Sequence, residues 1–103
     1  MPWKVYYLPK VHKYLQKLST KDRSKTKTAI EFLEKFGPLI RPPLSKKIKR
    51  NLYEIRIKGQ DSYRIFYTKI KSIYYLVHMF KKKTQKIPKK EIKVALDRIK
   101  HII

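Results

Sequence analysis

Apolar residues along this chain recur first at helical spacing, then at strand spacing, then at helical spacing again. Trp3 to Tyr7 reads as a short strand that Leu8-Pro9 ends. Val11, Tyr14, Leu15 and Leu18 follow the i, i+3, i+4, i+7 pattern of one helical face. Ser19 or Thr20 can cap a second helix running to about Phe36, with Ala29, Ile30, Leu33 and Phe36 as its stripe and Gly37-Pro38 as its stop. Residues 38–50, rich in proline and lysine, read as a connecting loop. Three strands follow, 51–58, 62–68 and 72–80, separated by turns short enough for antiparallel hairpins. Residues 88–103 return to helical spacing through Ile92, Ala95, Leu96, Ile99 and Ile103, and Pro88 suits the start of a helix. The predicted fold is α+β: one small domain over 1–103, ordered β-α-α-β-β-β-α. Its sheet is mainly antiparallel, with two N-terminal helices on one face and a C-terminal helix.

Strand parity then sorts the side chains, because alternate residues face opposite sides. Tyr53, Ile55 and Ile57 share one face, as do Tyr63, Ile65 and Tyr67 on the next strand. Packing that apolar set under the helices leaves Arg56 and Arg64 on the open face, with Glu54 able to pair with Arg64 across the hairpin. Phe66 and Tyr75 are the aromatic candidates for that face.

Composition sharpens the picture. The 103 residues include 28 Lys/Arg against seven Asp/Glu, a formal charge of +21, yet 42% are hydrophobic and eight are Tyr. So the chain is a folded domain whose self-repulsion calls for a polyanionic partner, nucleic acid foremost. From Arg41 to Lys90 there are sixteen Lys/Arg and two acids, Glu54 and Asp61, which assigns the basic surface mainly to the sheet and its loops. The absence of cysteine removes disulfides, thiol nucleophiles and thiolate metal sites. No Asp/Glu/His cluster has metal-ligand spacing, so no metal and no cofactor is expected. The N-terminal residues lack the apolar region of a signal peptide, there is no long apolar span, and a cytoplasmic protein without a membrane partner is expected.

The run Phe80-Lys81-Lys82-Lys83-Thr84-Gln85-Lys86-Ile87-Pro88 joins a strand end to a helix start, where ammonium groups, free N–H groups and the helix dipole can hold an anion. Together with Leu52-Tyr53-Glu54-Ile55-Arg56 and Asp61-Ser62-Tyr63-Arg64-Ile65-Phe66-Tyr67, and with His78-Met79 just before it, this run resembles the HigB branch of the RelE-like toxins. The resemblance covers most of the chain. It implies the toxin half of a type II toxin–antitoxin pair that cuts mRNA on the ribosome and is silenced by a HigA-like acidic antitoxin encoded nearby. It also places Arg64 at the scissile phosphate, Arg56 on the preceding strand and Lys82 in the loop that carries a basic catalytic residue. Two departures stand out: Glu54 replaces a lysine found in some relatives, and no C-terminal Tyr matches theirs.

RNA can be cut without metal because its 2′-OH is an internal nucleophile; a protein must move protons and stabilise the phosphorane-like state. Planar guanidinium suits the second task, which falls to Arg64 and Arg56. His78, whose ordinary pKa is about 6.5, is the candidate for proton transfer. Its parity with the apolar Leu76 and Phe80 equally suits a core position. Lys81, Lys83, Lys86, Lys58, Lys47 and Lys49 are expected to hold flanking phosphates. A non-catalytic RNA- or ribosome-binding module and a ParE-like, gyrase-directed toxin remain as alternatives.

Overall fold

The computed structural model describes residues 2–103; Met1, the first residue of the expected domain, lies outside them. The Val11 stripe becomes α1 (Pro9–Gln16), with Val11 and Leu15 buried. Helix α2 (Thr20–Phe36) starts where Ser19 Oγ accepts the Asp22 N–H at 3.2 Å. It ends at Gly37, whose φ of +52° only glycine adopts without strain and whose N–H reaches Leu33 O. A Cβ at Gly37 would also run into the Trp3 indole.

The sheet contains β1 (Lys4–Tyr7), β2 (Ser45–Lys49), β3 (Leu52–Lys58), β4 (Ser62–Ile70) and β5 (Ile73–Lys81), in the spatial order β1-β5-β4-β3-β2. β1 lies parallel to β5; the remaining pairs are antiparallel. One strand was missing from the sequence reading. The expected loop 38–50 contains β2, an edge strand in which three of the five residues are lysines, beside Ser45 and Ile48, so the order is β-α-α-β-β-β-β-α. Lysines on an exposed edge discourage further pairing, and they also erase the apolar signal by which a strand is recognised. The β4–β5 turn is also tighter than expected: Ile70 pairs with Ile73, leaving only Lys71 and Ser72 between the strands.

Two cores result. α1 and α2 cover one sheet face over Ile55, Ile57, Tyr63, Ile65, Tyr67 and Met79. Helix α3 (Lys89–Ile102) covers part of the other, packing Ala95 and Ile99 over Leu52, Phe66, Val77 and Phe80. The central strand β4 is therefore buried on both sides from Tyr63 to Thr68. Across the sheet, Asp22 of α2 reaches the β3–β4 turn. Its carboxylate accepts the Gln60 N–H at 3.0 Å and the Tyr63 hydroxyl at 3.1 Å, and it fills the space a Cβ on Gly59 would need. Burial and this hydrogen bond push the Tyr63 phenol up to about 12.

Candidate nucleic-acid interface

Strand register brings the two arginines face to face: Arg56 of β3 stands directly opposite Arg64 of β4. Two guanidinium groups this close repel, and what holds them is Glu54, two residues before Arg56 and hence on the same face. Glu54 is only 1% exposed and Arg64 8%. Its Oε1 lies 3.0 Å from Arg64 Nε and its Oε2 lies 3.4 Å from Arg56 Nε. The first contact has the distance of an ion pair, but the N–H does not aim at the oxygen, so Glu54 Oε1 and Arg64 Nε lack a well-formed hydrogen bond. Arg64 Nη1 donates to the Tyr63 carbonyl at 3.2 Å. The arginines are thus not on an open face. Arg64 is largely covered by its neighbours, and Arg56, with a side chain 36% exposed, is the more accessible of the two.

Lys82 continues β5 one residue past its end, donating its backbone N–H to Ser62 O at 2.8 Å. The alternation from Phe80, which opposes Arg64, puts Lys82 on the arginine face. Burial pushes its ammonium below the usual lysine value; Arg64, Arg56 and Lys46 push the same way, and Glu54 opposes them. Lys46 is the residue that sequence reasoning missed. It stands opposite Glu54 on β2, on the arginine face. Parity would have found it had residues 45–49 been read as a strand.

The other expected site residues disperse. Lys47 opposes Tyr53 and so lies on the α1/α2 side, while Lys49 follows a register shift. Lys58 shares the arginine face at the exposed end of β3. Lys81 opposes Tyr63, away from the arginines, and is paired with Asp61 at 3.1 Å. Lys83 and Lys86 are exposed on the loop before α3. Phe66 is no open-face aromatic; it is fully buried beneath α3. Tyr75 is half-buried at the β1 edge, in edge-to-face contact with Tyr6.

His78 departs from its expected parity. Phe66 opposes His78 and Tyr67 opposes Leu76, so Val77 is the extra residue of a bulge. The bulge puts Leu76 under α1/α2 and turns His78 to the α3 side with Phe80, whose ring it stacks on. There His78 Nδ1 accepts from Arg98 Nη1 at 3.2 Å, and Nε2 donates to Glu91 Oε1 at 2.8 Å. Both ring nitrogens are engaged. Burial lowers its pKa below 6.5, and Arg98 adds to this against the pull of Glu91.

A concavity of about 840 Å³ lies elsewhere, between Trp3, Lys4, Lys71, Tyr75 and the end of α3. A phosphate backbone needs no cavity, so the charged shelf of Lys46, Arg56, Arg64 and Lys82 is the better candidate for an RNA strand. Residues 13–100 match the family described as Phage derived protein Gp49-like (DUF891). The chain belongs to the Gp49-like family. That family is of the RelE/HigB toxin type, which makes this Gp49-like chain a RelE-like toxin domain and implies an antitoxin partner. Among solved structures, an arginine-to-alanine double mutant of the E. coli toxin RelE in the free state is similar, at TM-score 0.67 and 21% identity over 100% of both chains. This likeness is one of fold. No curated protein matches the Gp49-like chain. None of its helices is long and apolar enough to cross a membrane, among the described residues.

Proposed function

We propose that this Gp49-like protein is the toxin of a type II toxin–antitoxin pair and a metal-independent endoribonuclease that cuts mRNA on the ribosome, in the cytoplasm. The observation that carries this reading is the cross-strand Arg56–Arg64 pair, held over a buried Glu54 whose contact with Arg64 is misaligned. A phosphate entering beside Arg56 meets guanidinium donors that the carboxylate has positioned but not saturated. In the reaction the 2′-oxygen forms a bond to phosphorus while the bond to the 5′-oxygen breaks, giving a 2′,3′-cyclic phosphate. Arg56 and Arg64 stabilise the added negative charge of the transition state.

Lys82 is the proton acceptor in this reading. Its lowered pKa gives it a larger neutral fraction than an ordinary lysine, so it can take the 2′-OH proton, and water protonates the leaving 5′-oxygen. His78, tied to Glu91 and Arg98, acts through the placement of α3. Lys46, Lys58, Lys83 and Lys86 hold flanking phosphates. The acidic antitoxin neutralises the toxin by covering this shelf or by blocking its access to the ribosome.

The test is induced expression of wild type, Arg64→Lys and Lys82→Gln, with primer extension across abundant messages. Cuts within translated codons that disappear in both variants are expected. Growth arrest without RNA cuts, or full cutting by both variants, would overturn the nuclease. Broken chromosomal DNA would favour a gyrase-directed toxin instead.

A further inference from the structure

We propose that Lys82 is an acylation site: an acyl phosphate docks its phosphate on Arg56 and Arg64 and transfers its acyl group to the Lys82 amine. This rests on the reading of the arginine shelf as a phosphate site, but not on RNA or its cleavage. Lys81, Lys82 and Lys83 follow one another at and just past the end of β5, and the fold gives each a different setting. Lys81 opposes Tyr63, away from the arginines, and is tied to Asp61 at 3.1 Å. Lys83 is exposed on the loop before α3. Lys82 is the member of the run that stands on the arginine face, half-buried, with its backbone N–H fixed to Ser62 O at 2.8 Å.

An amine attacks a carbonyl only when neutral, and a lysine becomes so by burial or beside other cations. Lys82 has both. Burial lowers its pKa, and Arg64, Arg56 and Lys46 lower it further against the pull of Glu54. The same cations form the anion site. Arg56 stands opposite Arg64, and Lys46 opposes Glu54 on the neighbouring strand. Glu54 is 1% exposed and contacts both guanidinium groups, at 3.0 Å and 3.4 Å, so it turns little charge toward an incoming anion.

This cluster sets what the electrophile carries. Its carbonyl has to lie close to the anion that the arginines hold, because Lys82 belongs to the same group of side chains. An acyl phosphate has its phosphate joined to the carbonyl carbon through a single oxygen. The neutral Lys82 amine forms a bond to that carbon, and the C–O bond to phosphate breaks. The electron pair leaves with the phosphate, where Arg56 and Arg64 stabilise it, and the phosphate takes up the proton lost by the amine. The products are an Nε-acyl-lysine and inorganic phosphate. An acyl thioester has no anion beside its carbonyl, so the arginines give it no such placement. Acylated Lys82 is uncharged and no longer basic, so the modification also silences a nuclease that uses it as proton acceptor.

The experiment incubates the full chain with acetyl phosphate, or with acetyl coenzyme A in parallel, and follows each lysine by peptide mass spectrometry. Lys82 is expected to acylate at least about tenfold faster than Lys81 and Lys83 with acetyl phosphate, the advantage of a bound over a free electrophile. Added sulfate is expected to slow Lys82 and leave its two neighbours unchanged, and acetyl coenzyme A to show no preference for Lys82. Arg56→Gln, which changes the more accessible arginine, is expected to bring Lys82 to within about twofold of Lys83. Circular dichroism shows whether that variant is folded, and the sulfate series on wild type decides if it is not. Three results would each overturn the proposal: equal rates at Lys82 and Lys83, a Lys82 rate indifferent to sulfate, or the same preference for Lys82 with the thioester. Because acylation is read without RNA, failure of the nuclease reading shows separately, as a chain that acylates at Lys82 and cuts no message before treatment.

Discussion

At the scale of single residues, the Arg64–Glu54 contact joins stability to chemistry. Removing one partner of a buried ion pair leaves the other desolvated, at a cost of about 3 kcal/mol. Arg64→Ala is therefore expected to lower the urea midpoint as well as abolish cutting by roughly a hundredfold or more. Adding Glu54→Gln to it should recover part of the stability and none of the activity, which chemical denaturation and a cleavage assay would separate. Equal losses in the single and double variants would mean that Glu54 gains nothing from Arg64. Lys82 predicts a pH profile. A base with a lowered pKa is charged below that value, so the cleavage rate should rise with pH and level off below the 10.5 of an ordinary lysine. The Lys82→Gln variant should show a flat, low profile in the same single-turnover assay.

At the scale of elements, α3 is held to the sheet by Ala95 and Ile99 and by the Glu91–His78–Arg98 chain. His78 has a folded pKa below its ordinary 6.5, so below that pH the unfolded chain binds more protons than the folded one. The stability involved is complete above about pH 6.5 and is lost as pH falls beneath it. Thermal midpoints measured from pH 7.5 down to pH 5 should drop, and His78→Asn should flatten the decline. If the variant keeps the full pH dependence, other groups cause it. The elements also show where patterning was legible. Helices α1, α2 and α3 follow from their apolar stripes and from Ser19 and Gly37. β2 does not, because a lysine-bearing edge strand gains its hydrogen bonds from β3 and not from an apolar alternation of its own. The bulge at Val77 was invisible for a related reason: it is a mismatch between two strands, and neither strand alone contains it.

At the scale of the molecule, a charge of +21 on 103 residues works against compactness. Salt screens that repulsion over a Debye length of about 10 Å at 0.1 M. The isolated toxin domain is therefore expected to gain thermal stability as salt rises from a few millimolar to about that level, while its affinity for RNA falls over the same range. A falling midpoint in differential scanning fluorimetry would show that specific ion pairs outweigh the general repulsion. The Asp61–Lys81 pair is about half-exposed and screened, so it gives little reason to expect that. The charge is also less localised than the run from Arg41 to Lys90 suggests, because Lys10, Lys13, Lys17, Lys21, Arg23, Lys25 and Lys27 are all exposed on and between α1 and α2.

The sequence by itself determined the α+β class, three helices, four of the five strands, and the placing of Arg56 and Arg64 on one face of the sheet, because apolar periodicity and parity are local properties of the chain. Lys82 was named through the resemblance of its loop to that of the RelE-like toxins, and its place on the arginine face follows from the β4–β5 register. Tertiary structure alone decided that Arg56 stands directly opposite Arg64, that Glu54 reaches Arg56 as well as Arg64, and that α3 closes over Phe66 instead of leaving it open. It also decided that Lys46 joins the shelf and that Lys47 and Lys81 leave it. Each of these depends on register, on a bulge or on which element covers which face, and those are set by contacts between segments far apart in the chain.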